Sequence, residues 1–473
     1  MSDQRLVDSL RKVLGDDWVV AGSEAKGYET DGTFLSQTPS AVAFPASTHQ
    51  VSQVVEVCHQ SSTPVIARGG GTSLAGGPVP LGGGVVLSLE RLKRLEVHKD
   101  DTCAVVGAGT ITGELQRAAA ACGLFYPPDP GSVHISTIGG NIACNAGGMR
   151  CVKYGVTSDY VLGLTVVLAD GRILTLGGST RKRASGYRLT QLFVGSEGTL
   201  GIVCEATLRL DPLPRNAKTA MVGYLTVDDA ARAVSQLMAS GYLPSAIELL
   251  DRRTLELVSD RLPDEFRASL EAVLIVEADG NEAEQVGEEL QEMVERLAGA
   301  DVKVARTDSD SESLWDARRQ IGRAVTKRRH SSLSEDIAVP LSQVAAMIGY
   351  IHEVSQQLEV EVIVFGHIGD GNLHPVFVFD HSQRAAVSAA AARIFRKALA
   401  LGGTVSAEHG LGALKRDFAL AEHGADSLSL MRAIKDDFDP TGILNPHKVF
   451  PEGPAEDGFL SRQPGWTSEI ETG

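Results

Sequence analysis

No stretch of this chain is apolar for the roughly 20 residues that a membrane-spanning helix requires. The amino terminus, Met1-Ser-Asp-Gln-Arg-Leu6, lacks the basic stretch and apolar core of a secretory signal, so a cytoplasmic protein is expected. Cysteine is sparse. The six residues, Cys58, Cys103, Cys122, Cys144, Cys151 and Cys204, all lie in the first half and form no Cys-x-x-Cys pair. That excludes the common zinc and iron-sulfur spacings, and in a reducing compartment it points to buried free thiols. Positive charge is also short. With 44 Lys and Arg against 60 Asp and Glu, a formal charge of -16 and a pI near 5.3, the chain offers no footprint for nucleic acid or for an anionic membrane surface.

What is present is an ordinary globular composition, 43% hydrophobic and 22% charged, over 473 residues. One core rarely organises that length, so two or three domains are expected. From Ala41 to about Leu210, short β-branched runs alternate with helical periodicity and dense glycine: Val51 to His59 reads as a helix, and Pro64 to Ala67, Val85 to Leu89, Ala104 to Val106, Leu164 to Leu168, Ile173 to Leu176 and Ile202 to Leu210 as strands. Beyond Pro212-Leu-Pro214 the order becomes strand (Ala220 to Leu225), helix (Val227 to Ser240), strand (Ser245 to Leu250), helix, strand (Ala272 to Ala278), helix (Glu282 to Leu297) and strand (Asp301 to Ala305). That alternation suits an antiparallel sheet with helices on one face, and the last twenty residues read as a tail.

Three glycine-rich stretches stand out in the first half. Arg68-Gly-Gly-Gly-Thr-Ser-Leu-Ala-Gly-Gly77 follows a strand, and its glycines let backbone N–H groups converge on phosphate oxygens. It contains no Gly-Lys-Ser/Thr and no Gly-x-Gly-x-x-Gly opening a helix, which excludes the P-loop and the dinucleotide fingerprint. Pro127 to Gly148 mixes small residues with amides and hydroxyls, suited to wrapping a flat heteroaromatic ring. Gly186 to Ile202 ends in a tight Ser-Glu-Gly turn before a strand. Any one of these is ordinary loop; three in one domain argue for a ligand cleft.

In the second half, His367 and His374 bracket the turn chemistry Gly369-Asp-Gly-Asn372, which folds the two imidazoles toward each other. Some thirty residues on stand Glu408 and His409. Two imidazoles and a carboxylate hold a divalent ion with a position left open, and a neighbouring histidine moves a proton. The basic run Arg318, Arg319, Arg323, Lys327, Arg328 and Arg329 reads mostly as a solvated helix face.

With these motifs in this order, the chain to about Pro451 resembles the FAD-linked D-2-hydroxyacid dehydrogenases, the family of the glycolate oxidase flavin subunit, D-lactate dehydrogenase and D-2-hydroxyglutarate dehydrogenase, within the vanillyl-alcohol oxidase and p-cresol methylhydroxylase superfamily. The resemblance implies an α+β fold: a two-part FAD-binding domain of p-cresol methylhydroxylase type over 1–214 (core about 38–214), a ferredoxin-like antiparallel α+β cap domain with the metal site over 215–425, a segment returning to the FAD domain over 426–453, and a tail over 454–473. It assigns the FAD pyrophosphate to Arg68, Gly69, Gly70, Gly71, Thr72, Ser73 and Gly76; the isoalloxazine and ribityl regions to Pro128, Gly131, Ser132, Thr137, Gly139, Gly140, Asn141, Asn145 and Gly147; and the adenosine end to Glu197, Gly201 and Ile202. Thr72 and Ser73 stand where several relatives carry a tethering histidine, so FAD is expected to be noncovalent.

The same resemblance makes His367, His374 and Glu408 ligands of zinc or a similar divalent ion, His409 the base, Arg318 the clamp on the substrate carboxylate, and Asn372 a further substrate contact. Asn445 and Lys448, in the closing motif, would help shape the pocket. The implied reaction is oxidation of a small D-2-hydroxy acid, D-lactate or glycolate, to the 2-oxo acid, with hydride passing to flavin N5. Gly322 and Ser334 replace the threonine and lysine that hold a second carboxylate in the hydroxyglutarate enzymes. A hydroxyglutarate-type enzyme, a noncatalytic FAD-binding subunit and a flavin-free metal hydrolase are the alternatives. The reduced flavin needs an acceptor: an electron-transferring protein, a quinone, or an iron-sulfur subunit in a complex. A homodimer is a further possibility.

Overall fold

The computed structural model describes residues 3–266, 270–327 and 331–466. Arg328 and Arg329 of the basic run, and residues 467–473, lie outside that range. Among the described residues no helix is long and apolar enough to cross a membrane.

The first half carries two separate sheets, as a two-part FAD-binding domain requires. Ala41–Ala43, Val85–Ser88 and Val65–Arg68 run parallel, in that order, with Val19–Val20 antiparallel at the edge. The second sheet is antiparallel, ordered Leu95–His98, Cys103–Gly107, Ile202–Arg209, Val161–Val167 and Ile173–Gly177. Helix Thr48–Gln60 buries Val51, Val54, Val55 and Cys58 against the first sheet, where Leu6, Val7, Leu10 and Leu14 of the amino-terminal helix join the same core. Helix Ile138–Cys144 packs on the second sheet. Its amino end is capped by Thr137, whose hydroxyl accepts from the Gly140 N–H, and its carboxy end by Asn145 in the left-handed conformation.

The cap domain is built on one eight-stranded antiparallel sheet. Its main path runs Asp301–Val304, Asn216–Tyr224, Ala272–Gly280, Ala246–Asp251, Glu361–Gly366, Asn372–Phe379 and Ser331–Ser334, and Ile337–Ala338 pairs with Asn372–Phe379 off that path. Here one expectation fails. Helices cover both faces, not one. Val222, Leu249, Leu274, Val276, Val362 and Val364 pack with Val227–Ala239, Ala283–Leu297, Val344–Gln357 and Arg384–Ala400 on one side. Met221, Leu250, Val273, Ile275, Ile363 and Val376 meet Arg252–Leu257 and Asp308–Thr326 on the other. The physical reason is in the strand composition: Ala272-Val-Leu-Ile-Val276 is apolar without alternation, and both sets of side chains need cover.

The carboxy-terminal segment ties the halves together. Leu444 bridges Val65, the Asn445 N–H donates to Val65 O at 2.9 Å, and Lys448 Nζ donates to Val79 O at 2.9 Å. The described part of the expected tail is no tail. Phe459 and Leu460 are fully buried, Phe459 against Phe395 and Phe418, and Trp466 packs on Phe34 and Phe379. Proline, glycine and charge made the segment read as tail, but three large apolar side chains anchor it to the cap core.

Candidate active site

Strand alternation assembles the site. Leu250, Phe365 and His374 are opposite one another in register, so they share a sheet face, and Glu248 joins them two residues before Leu250. The helix Asp308–Thr326 packs its apolar side on that same face and brings Arg318, whose Nε donates to Glu248 Oε2 at 2.5 Å while its guanidinium lies 4.7 Å from the Phe365 ring centre. The turn Ile368–Asp370, closed by Gly371 at φ 78°, sets His367 beside His374, with ring centres 5.1 Å apart and planes nearly perpendicular. Any side chain at Gly371 would drive a Cβ to 2.1 Å from Val339 O, so the turn needs glycine twice over.

Ligand atoms of His367, His374 and Glu408 all lie within 4.8 Å of one another. His367 Nε2 is 3.4 Å from Glu408 Oε1, and His374 Nε2 is 4.0 Å from Glu408 Oε2. His367 Nδ1 is hydrogen-bonded to Glu248, which is fully buried. A carboxylate only accepts, so Nδ1 carries a proton; burial opposes a charge on the ring, yet Glu248 and then Glu408 raise His367 well above the usual imidazole range, so Nε2 is protonated toward Glu408 as well and would give up that proton to hold an ion. Burial, and then the charge of His367, push His374 down to about 3, which keeps it a neutral ligand. Burial opposes ionisation of Glu408, but His367 outweighs it and holds the carboxyl at about 2. Asp129 and Asp370 crowd the same region. Burial, reinforced by the neighbouring Glu248, pushes them up to about 7 and about 6, Asp370 feeling Glu408 as well. Of these groups His367, His374 and Glu408 form a set of two nitrogens and one carboxylate that could hold a divalent ion with a position left open.

His409 stacks beside His374, ring centres 5.6 Å apart. Its Nδ1 lies 3.1 Å from Asp336 Oδ1. Asp336 is buried and accepts from the N–H groups of Ala407 (2.6 Å), Glu408 (2.7 Å) and His409 (3.3 Å), and from Lys415, itself fully buried. Burial works against its charge, yet His409 and Lys415 hold its carboxyl well below the usual range. Neither Glu248 nor Asp336 was singled out in the sequence. The available signal was an isolated acid inside an apolar strand, Ala246-Ile-Glu248-Leu-Leu250, and the adjacent acids Glu335-Asp336 leading into Ile337-Ala-Val339.

Cofactor-side residues converge as well. Arg68, Gly69, Thr137, Gly139, Gly140, Gly201 and Ile202 line one cavity of the FAD domain. A Cβ at Gly69 would lie 2.2 Å from Thr137 Oγ1, at Gly70 2.3 Å from Ile135 O, and at Gly139 2.7 Å from the Ala108 Cβ, so the cradle exists only because these positions lack side chains. Gly71 is left-handed against the Arg68 fork; the Gly76 N–H is held by Asp31, and Ser73 Oγ accepts from Ala75 and Gly77 beside Thr72. Pro128 O and the Ser132 carbonyl, next to Gly131, are engaged by Gln116 and by the Ile135 and Ser136 N–H groups. Asn141 donates to Thr112, and Asn145 accepts from the Ser158 N–H, so these amides shape the cradle wall. Gly147 abuts the metal cluster: a Cβ there would sit 2.6 Å from Glu408 Oε1. The carboxylate of Glu197 is not turned to a ligand. It accepts from the N–H groups of Leu411 and Gly412, stitching the FAD domain to the loop that carries Glu408 and His409, while Asn445 donates to the Glu197 carbonyl. Asn372 is buried, and among the described residues its side-chain oxygen has no hydrogen-bond partner.

Residues 213–449 match the family model for the carboxy-terminal domain of FAD-linked oxidases, and residues 39–177 match an FAD-binding domain. The chain is 40% identical to the glycolate oxidase subunit GlcD of Bacillus subtilis, over 91% of this chain and 93% of that one. It is 38% identical to a D-lactate dehydrogenase of Archaeoglobus fulgidus, over 94% and 98%. Among solved structures, the fold is that of 4-ethylphenol oxidase from Gulosibacter chungangensis (TM-score 0.77, 19% identity, 95% of this chain and 97% of that one) and of p-cresol methylhydroxylase (TM-score 0.76, 17% identity, 94% and 96%). The chain belongs to the FAD-linked 2-hydroxyacid dehydrogenase and oxidase family, and it is an FAD-linked oxidoreductase acting on CH–OH donors.

Proposed function

We propose that the protein oxidises a small D-2-hydroxy acid, D-lactate or glycolate, to the 2-oxo acid, with a divalent ion of the zinc type at His367, His374 and Glu408. One observation carries the reading: the base His409, oriented by Asp336, stands beside the ligand cluster at the point where Gly147 of the FAD domain touches Glu408. Bound FAD supplies the two-electron acceptor, and the bound ion lowers the pKa of the substrate hydroxyl. Arg318 would hold the substrate carboxylate through its terminal amino groups, since its Nε is committed to Glu248. With Nδ1 turned to Asp336, His409 would take the hydroxyl proton at Nε2. Asn372 would contribute its unpartnered oxygen to the substrate. Gly322 and Ser334 bring no positive charge, which supports a monocarboxylate over a hydroxyglutarate-type substrate. The similarity to proteins named glycolate oxidase and D-lactate dehydrogenase supports the same class. Reoxidation would fall to a partner protein, an iron-sulfur subunit or a quinone.

The test is anaerobic mixing of the holoprotein with a panel of D- and L-2-hydroxy acids while the flavin absorbance is followed. Rapid bleaching by D-lactate or glycolate, and not by L-lactate or D-2-hydroxyglutarate, is expected. Bleaching by the L-acid alone, or by none of the panel, overturns the proposal.

A further inference from the structure

Phe365 touches both of the groups that would grip the substrate. Its ring centre is 4.7 Å from the Arg318 guanidinium and 5.4 Å from the centre of the His374 ring, to which it is tilted by 40°. Sheet register fixes that place, since Phe365 is paired with His374 on one side and with Leu250 on the other. Leu250, Ile363 and Val376 on the same face are buried beneath the helices packed there. Phe365 is only half-buried, so part of its ring faces open space beside the clamp and the ligand cluster. Met149 of the FAD domain, two residues beyond Gly147, is half-buried against the same group of side chains. An apolar wall next to a few convergent polar groups is the usual make-up of a small-molecule site, in which the polar groups orient the ligand and the wall takes its bulk.

The stereochemistry of a 2-hydroxy acid assigns that wall. The inference rests on the proposed function, in which the carboxylate lies on Arg318 and the hydroxyl at the ligand cluster beside His409. The tetrahedral carbon between them has two bonds left, to a hydrogen and to the C3 substituent. These point to opposite sides of the plane through the carbon and its two gripped groups. The hydrogen that leaves as hydride must face the FAD cradle. The C3 substituent then faces away from the cradle, toward the cap sheet, where the ring beside Arg318 and His374 is Phe365. In glycolate that substituent is a second hydrogen, and in lactate it is a methyl group that a phenyl ring can cover. A branched four-carbon chain needs the volume that the ring fills. We propose that Phe365 is the residue that sets the size of the substrate side chain, admitting hydrogen or a methyl group and excluding long or branched chains.

The test compares wild type, Phe365→Ala and Phe365→Leu on glycolate, D-lactate, D-2-hydroxybutyrate and D-2-hydroxyisocaproate, by the second-order rate of anaerobic flavin reduction. Calorimetric Kd values for pyruvate and 4-methyl-2-oxopentanoate, which the oxidised flavin leaves unchanged, report binding without turnover. Phe365 also supports the Arg318 guanidinium, so its loss weakens the clamp for every acid alike, and only the ratio between acids reports the wall. Wild type should prefer D-lactate to D-2-hydroxyisocaproate. Phe365→Ala should move that ratio toward the longer acid by about 10- to 200-fold, with Phe365→Leu between the two and the 2-oxo acids in the same order. FAD and metal content report folding, and Phe365→Leu decides the matter if the alanine variant loses FAD. Equal use of D-lactate and D-2-hydroxyisocaproate by wild type overturns the proposal, as does a ratio that the variants do not move. If no acid reduces the wild-type flavin, the substrate class falls and this inference with it; reduction with unmoved ratios sinks this inference alone.

Discussion

The Nδ1 of His409 lies 3.1 Å from Oδ1 of Asp336, and the other oxygen of the same carboxylate gathers the N–H groups of residues 407 to 409. One side chain thus sets the path of the loop and stands within ion-pair distance of the proposed base. Asparagine at 336 can still accept from the loop, but it can present its amide N–H₂ to His409 and invert the imidazole. For Asp336→Asn, flavin reduction by substrate should slow by about 10²- to 10⁴-fold, with FAD and metal content unchanged. A split between kcat and KM decides the issue: a fall confined to KM would show that Asp336 shapes binding only.

Replacing His409 with Ala removes the proposed proton acceptor. Because the ligand set His367, His374 and Glu408 is intact without it, the metal and FAD should stay bound while single-turnover flavin reduction slows by about 10²- to 10⁴-fold. Unchanged single-turnover reduction would reject His409 as the base.

The meeting of His367 and His374 was legible because turn chemistry spaces them: Gly369-Asp-Gly-Asn372 must reverse the chain, and reversal brings one ring to the other. Glycines of the cradle were legible for a similar reason, since backbone approach needs missing side chains. Glu248 and Asp336 were not. Each acts across more than seventy residues of sequence, through sheet register in one case and a buried ion cluster in the other. Local periodicity carries no trace of such contacts. The second helical layer on the cap sheet escaped because a continuous apolar strand was read for its existence and not for its two buried faces. Glu197 carried a motif, yet its side chain serves the junction between domains.

Glu248 accepts from Nδ1 of His367 and so orients its imidazole toward the proposed metal site. Glu248→Gln keeps the volume but loses the charge and can offer an N–H₂ in place of the acceptor. Metal affinity, measured by competition with a chromogenic chelator, should fall about 10- to 100-fold. His374→Ala removes a ligand outright, and elemental analysis should find the metal lost while the flavin spectrum is retained. Full metal occupancy in His374→Ala would contradict its assignment as a ligand.

Gly147 lies where the cofactor loop meets the metal cluster, and a Cβ there would sit 2.6 Å from Glu408 Oε1 and 3.1 Å from Cys151 Sγ. Gly147→Ala should therefore displace the Glu408 carboxylate. Weakened metal binding and slower turnover are expected, with FAD affinity changed far less. A variant with wild-type metal affinity would place the Glu408 carboxylate away from this loop.

The helical turn Phe459–Arg462 buttresses the loop that carries the proposed base. Phe459 stacks edge-on against Phe418 at 5.1 Å, Gln463 Nε2 donates to Ala413 O at 3.1 Å, and Arg462 pairs with Asp417 at 2.8 Å. All three partners lie within a few residues of Lys415, which anchors Asp336. Removing a fully buried phenyl ring costs about 3 to 5 kcal/mol. Phe459→Ala should lower unfolding stability in urea by about that amount and slow flavin reduction as well, because Lys415 and the Asp336 cluster lose their backing. A cost below about 0.5 kcal/mol, typical of exposed positions, would return this segment to the status of a tail.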